Sequence, residues 1–350
     1  MNDLMGKYNL ADYKFIVSDF FPQELYEQIT ELRIHQQEAV IAHAKKRQQR
    51  KKLAPEGRLN ILAADHPARN VTMTADNPLG IGNRYDYLGR ILRVITDPEI
   101  DGLMATSDLI EDVFCVDYLY TLSGRNSFLD RKLLIASANR SGLNGYSYEM
   151  FDLTTSTTPE QVIELGLDGI KYLVRFDLAD RDSIETMIYI AREMNKCIDL
   201  GLPIFLEPLP GRNLKDGGFE LDKTAAALIK VAGIASAMGK TSFNTWLKLP
   251  YTEDYQQVSL ATTLPILMLG GNSQGNPIPI LVDFAEGMKA GKNIRGTLVG
   301  RNVVFPGDDD PLAVALAVNK ITHNDYSVEE ALQYLSQQRG KEMDLLQALI

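Results

Sequence analysis

From Leu59 onward the chain alternates short apolar runs with longer stretches of helical periodicity. The apolar runs are Leu59–Ala64, Gly102–Ala105, Lys132–Ala136, Gly169–Arg175, Pro203–Glu207, Thr245–Leu249, Pro265–Leu269 and Gly296–Val299. Each is of strand length, and helical patterns fill the gaps. Such alternation implies βαβ units and a parallel sheet. Eight is the number of strands that closes a (β/α)8 TIM barrel in roughly 250 residues. The predicted fold class is therefore α/β, a (β/α)8 barrel. A doubly wound open sheet is the alternative, but no glycine-rich dinucleotide fingerprint follows the first strand.

The helical stretches complete the layout. Thr158-Pro159-Glu160-Gln161 reads as a capped helix start with proline at the first helical position. Asp180–Leu200 and the Ala-rich Glu220–Gly239 are further helices. Residues 1–57 read as an N-terminal helical extension, with Leu25, Ile29 and Leu32 on one face of a long amphipathic segment. Its basic run, Lys45 to Lys52, is read as the solvated end of that helix, favoured by the helix dipole, in preference to a phosphate or nucleic-acid site. After Pro311 the chain reads as terminal helices. Three parts result: the extension 1–57, a barrel 58–325 and a C-terminal helix 326–350.

Composition narrows the function. A hydrophobic fraction of 45% over 350 residues allows a large core, and a formal charge of -10 argues against nucleic acid as partner. Cys115 and Cys197 make neither a disulfide framework nor a metal motif. The first residues carry no basic and apolar leader pattern, and no run of about 18 apolar residues exists. A cytoplasmic protein without membrane attachment is expected. Asp308-Asp309-Asp310 resembles a cation site but is read as a solvated loop before Pro311.

Candidate chemistry gathers where barrel enzymes keep it, at the C-terminal ends of the strands. Lys248 stands inside the apolar run Trp246-Leu247-Lys248-Leu249, closed by Pro250 and Tyr251. Burial lowers a lysine pKa, and a neutral amine attacks carbonyls to form a Schiff base. The bland alternative is a lysine whose stem packs while its head reaches water. Other strand ends deliver Asp65 and His66, then Ser137, Asn139 and Arg140, then Arg175 and Asp177, then Glu207. Lys171 lies within the fourth run. A Schiff-base lyase needs a proton shuttle, for which Glu207 or Asp65 is suited, and a second cation such as Lys171 to depress the nucleophile. Gly270-Gly271 and Gly300-Arg301, on the last two strands, match the usual phosphate position of such barrels. Capping, turn and packing roles are the alternatives at each position. Tyr85, Tyr87, Tyr118 and Tyr120 are read as packing residues.

Taken together, Leu62-Ala63-Ala64-Asp65-His66, Leu247-Lys248-Leu249-Pro250-Tyr251-Thr252-Glu253-Asp254, Met268-Leu269-Gly270-Gly271 and Val299-Gly300-Arg301-Asn302-Val303 resemble the class I aldolase superfamily, in its archaeal-type fructose-bisphosphate and deoxyribose-phosphate branches. Asp168 to Asp177 and Pro203 to Pro208 resemble class I tagatose-bisphosphate and sulfofructose-phosphate aldolases. The resemblance spans residues 58 to 305 or so. It implies a Schiff base on Lys248, acid/base work by Glu207, support from Lys171, and Asp65 contacting substrate hydroxyls or relaying protons. It also implies substrate contacts at His66, Asn139, Arg175 and Tyr251, with phosphate on Gly270, Gly271, Gly300 and Arg301. The archaeal branch carries an acid/base tyrosine on its fourth strand, and Tyr172 is off register for that role. Arg175 replaces an aromatic residue of the sugar-bisphosphate branch and is a candidate reader of an acidic group.

The expected function is carbon–carbon lysis or formation on a phosphorylated ketose or keto-sugar acid in carbohydrate metabolism, without metal or cofactor, by a self-associating protein. The alternatives are a Schiff-base or thiolase-like acyl-transfer enzyme on a phosphorylated sugar derivative, and a non-catalytic sugar-phosphate-binding barrel.

Overall fold

A computed structural model of the protein describes residues 8–74, 77–140, 142–214 and 216–349. The first seven residues of the predicted extension lie outside them. Nine strands are present among the described residues: β1 Leu59–Ala64, β2 Gly102–Ala105, β3 Leu133–Ser137, β4 Gly169–Phe176, β5 Ile204–Asn213, β6 Phe219–Leu221, β7 Thr245–Pro250, β8 Ile266–Leu269 and β9 Ile294–Val299. The hydrogen-bonded order is β4-β3-β2-β1-β9-β8-β7-β5, and β4 pairs with β5 to close the ring. All pairings within that ring are parallel. The protein is a (β/α)8 barrel, as the apolar runs predict.

Two apolar clusters follow from the two faces of each strand. Inside the ring, Leu59, Ile61, Ala63, Met104, Leu133, Ile135, Phe205, Leu267 and Leu298 fill the N-terminal half of the barrel. The alternate residues Leu62, Ala64, Leu134, Ile170, Leu206 and Leu247 face the surrounding helices. That alternation fixes what comes next. Two residues beyond the last inward apolar side chain stand Asp65 on β1, Ser137 on β3, Glu207 on β5 and Gly300 on β9.

Several expectations need correction. The extension forms two helices, Gln23–His35 and Gln37–Ala44, broken at Gln36. Phe20, Phe21, Leu25 and Ile29 belong to the main core. The basic run is not a solvated helix end, because the helix stops at Ala44. Arg47 instead pairs with Asp168 at 2.7 Å and donates to the carbonyls of Lys132 and Gly166. Arg50 pairs with Asp101 at 2.8 Å. The run is a strap across the N-terminal end of the barrel.

Nor is Asp308-Asp309-Asp310 a solvated loop. Asp309 and Asp310 are fully buried, with Arg339 and Arg93 respectively closing two-point ion pairs on them. The predicted helix Glu220–Gly239 begins only at Ala225, since Phe219–Leu221 pairs antiparallel with the extended end of β5. The remaining long helices fall near expectation, at Arg181–Asp199, Pro311–Asn324 and Val328–Gln338. The capped start at Thr158 carries a complete capping box. Among the described residues, no helix is long and apolar enough to cross a membrane.

Candidate active site

The inward positions above the apolar half of the barrel are occupied by charge. Lys171 on β4 is fully buried, and its Nζ lies 2.6 Å from Glu207 Oε2 and 3.2 Å from Asp65 Oδ2. Lys248 on β7 is buried, with Nζ 3.1 Å from Glu207 Oε1. Glu207 therefore gives one oxygen to each lysine. Asp65 Oδ2 also accepts from Ser137 Oγ at 2.8 Å and ion-pairs with Arg140. A single connected chain runs Lys248–Glu207–Lys171–Asp65–Arg140.

The electrostatics follow from burial. For Glu207, burial raises the pKa, but Lys171 and Lys248, with Arg140, outweigh it and hold the carboxyl well below its usual range. Burial lowers Lys248, and the charges of Arg140 and Arg301 add to that, while Glu207 opposes them; the net direction is down. Lys171 is driven well below the ordinary lysine value by burial and by Arg140, again opposed by Glu207. A lysine in this state loses its proton closer to neutral pH, which is what a nucleophilic amine requires.

The mouth is formed by β1, β8 and β9. Gly300 follows β9 where a Cβ would meet the Ala63 carbonyl oxygen at 2.4 Å and His66 Cε1 at 2.5 Å. Only glycine permits that approach. Asn302 donates to the carbonyls of Gly270 and Gly271 at 2.8 and 3.3 Å, so the β8 and β9 loops are tied side by side. Gly271 takes φ +71. Arg301 has no carboxylate partner among the described residues, and its Nε is buried without an acceptor. With Asn70, Thr72, Asn144, Asn272 and Ser273 it lines a cavity of about 310 Å³. His66 is partly buried, and its Nδ1 makes a long 3.5 Å contact with Tyr87 Oη. Burial, then Arg301 and Lys248, hold its pKa well below the usual value, which favours the neutral imidazole.

The remaining sequence candidates are placed elsewhere. Asn139 spends its amide on backbone, donating to Leu173 O and Asp152 O and accepting from Leu173 N–H. Arg175 turns to the loop after β3, pairing with Glu149 at 3.0 Å and Asp152 at 3.3 Å beneath the Phe219 ring. Tyr251 packs on Tyr255 and against Gly287, on the helix side of β7. Tyr172 faces outward, its hydroxyl on Cys197. The roles of Ser137 and Arg140 were not assigned from the sequence, although the two-residue step beyond Ile135 points to Ser137. Tyr87, read as packing, also reaches His66. Lys223 approaches Gly271, since its Nζ lies 3.6 Å from where a Cβ on that glycine would be.

The fold is a (β/α)8 barrel, and its C-terminal mouth holds two buried lysines on one glutamate. The chain belongs to the Cgl0159-like family, whose model matches residues 57–321. It is 31% identical to Cgl0159 of Corynebacterium glutamicum, covering 88% of this chain and 99% of that one, with a TM-score of 0.80. Among curated proteins it is 26% identical to an uncharacterized aldolase of Saccharolobus solfataricus over 81% of this chain and 96% of the relative. It is 23% identical to 2-amino-3,7-dideoxy-D-threo-hept-6-ulosonate synthase 1 of Archaeoglobus fulgidus over 69% and 86%. An archaeal fructose-1,6-bisphosphate aldolase, solved with its catalytic lysine bound to the carbinolamine of its substrate, shares the fold at 22% identity and TM-score 0.54, over 81% and 99%. Several relatives and structural neighbours are aldolases, a Schiff-base-forming fructose-1,6-bisphosphate aldolase among the neighbours.

Proposed function

We propose that the protein is a class I aldolase that cleaves or forms a phosphorylated ketose or keto-sugar acid through a Schiff base on Lys248. The observation that carries this reading is the sharing of Glu207 between two buried lysines, at 3.1 and 2.6 Å. Lys248, with its lowered pKa, attacks the substrate carbonyl. Glu207 passes the amine proton to the developing alkoxide to give the carbinolamine; a second proton, taken from solvent and delivered through Glu207, lets the hydroxyl leave as water, and an iminium forms. Lys171 remains on the other oxygen of Glu207 and keeps that carboxylate ionised.

Cleavage needs a base for the hydroxyl β to the iminium carbon. Glu207 fits better than Asp65, because it lies against Lys248, where the iminium forms, whereas Asp65 connects to that lysine only through Lys171 and Glu207. Asp65 is then a hydroxyl-binding group. The base takes that proton, the C–C bond breaks toward the iminium, and the aldehyde departs. The enamine is protonated and the imine hydrolysed. The paired β8 and β9 loops, with Arg301, are proposed to hold the phosphate.

The test is kinetic. Lys248→Ala is expected to abolish cleavage of fructose 1,6-bisphosphate and condensation of dihydroxyacetone phosphate with aldehydes, with the circular dichroism spectrum retained. Wild-type turnover is expected to persist in EDTA, since the iminium is the electron sink. A Lys248→Ala variant as active as wild type would end this reading.

A further inference from the structure

Four basic side chains, Arg140, Lys171, Lys248 and Arg301, face Asp65 and Glu207 around the reacting position, and Asp152, already paired with Arg175, also acts on Arg140. The lysines can relieve the imbalance by losing a proton. Arg140 cannot do so at neutral pH, because burial pushes it down only to about 10. It is 5% exposed. One of its terminal nitrogens pairs with Asp65, while Nε and Nη1 are buried with no acceptor among the described residues. Unmet donors on a buried cation are costly, and they mark where a ligand supplies the acceptor.

Topology places that ligand group. β3, β9 and β7 stand about a third of the ring apart, and they bring Arg140, Arg301 and Lys248 in from three sides. The charge of Arg140 is felt by Lys171, Lys248 and Glu207, and that of Arg301 by Lys248 and His66. A carbonyl on Lys248 therefore has an arginine on each of the two other sides. The Arg301 side has tied glycine loops and an open cavity, which suit a phosphate. Among the described residues no tied pair of glycine loops flanks Arg140, and two backbone donors near it are spent, with Ala138 N–H on Lys171 O and Leu173 N–H on Asn139. A planar carboxylate is compact and is satisfied by a guanidinium alone.

We infer that the substrate carries a carboxylate on the side of the cleaved bond away from its phosphate, and that Arg140 binds it. The inference rests on the aldolase reading. The aldehyde that departs while the phosphate-bearing enamine stays on Lys248 then carries the carboxylate, and the acidic group is read by Arg140 rather than by Arg175, which Glu149 and Asp152 already occupy.

The test runs the condensation with dihydroxyacetone phosphate as donor. Glyoxylate and succinic semialdehyde are compared with acetaldehyde, butanal and glyceraldehyde 3-phosphate as acceptors. Wild-type kcat/KM is expected to favour a carboxylated acceptor over its neutral counterpart by roughly 10- to 100-fold, as hydrogen bonds to charged groups give. Arg140→Gln should bring that ratio close to one, mainly through the acceptor KM, and Arg140→Lys should restore part of it. Equal or better use of neutral or phosphorylated acceptors by wild type would overturn the inference, and that ranking decides alone where a variant does not fold. So would an Arg140→Gln variant that slows every acceptor by the same factor, because Arg140 would then act only through the charge of Lys248. If borohydride traps no donor on Lys248, the aldolase reading falls and takes this inference with it. A trapped donor without carboxylate preference overturns the inference alone.

Discussion

Glu207 decides what Lys248 can do. With one oxygen 2.6 Å from Lys171 and the other 3.1 Å from Lys248, it stabilises two ammonium groups that burial would otherwise discharge. The attacking form is the neutral amine, so single-turnover imine formation should rise with pH and level off above the Lys248 pKa. Because burial and the arginine charges lower that pKa, the bend should lie below the ordinary lysine value of 10.5. Arg301→Gln removes one of the lowering charges and should move the bend to higher pH. A bend that stays put, or moves down, would show that Arg301 does not set the amine. At this scale the sequence was informative for a physical reason. A lysine, a glutamate or an aspartate within or just past a buried strand has to be paired, so Lys248, Glu207, Lys171 and Asp65 stood out. It was uninformative about which arginine keeps donors without an acceptor. Arg175 and Arg140 both follow apolar runs, and only the fold brings Glu149 and Asp152 onto Arg175.

At the scale of elements, the strands were legible because each carries a dense apolar run buried on both faces. The β5–β6 hairpin was not. The apolar run ends at Glu207, ahead of Pro208, yet β5 continues to Asn213. Its pairing with β7 ends at Leu206 and its pairing with β6 begins at Gly211, so Pro208 and Pro210 fall between those two ladders, where proline is tolerated. The strap was misread because a run of like charges ordinarily seeks water, and the acceptors that bury Arg47 come from segments more than 80 residues away. Arg47→Ala would leave Asp168 buried without its cation. It is expected to destabilise the protein by about 3–5 kcal/mol, measured by urea unfolding with activity retained in the folded fraction. A loss under 1 kcal/mol would return the strap to the solvated reading.

For the whole molecule, the termini are part of the same body as the barrel. Arg93, near the C-terminal end of the helix Arg84–Ile95, joins Asp310 before the helix Pro311–Asn324 and donates to Lys341 O. Arg339 joins Asp309 and the carbonyl of Asn9. These clamps leave the C-terminal mouth of the barrel to the charged chain from Lys248 to Arg140. The account stands on Lys248 forming a covalent imine there. Its most direct test is borohydride reduction in the presence of dihydroxyacetone phosphate, read by intact and peptide mass spectrometry. The account predicts one reduced adduct on the peptide that contains Lys248, absent from Lys248→Ala. An adduct on Lys171 instead, or turnover without any trappable adduct, would contradict it.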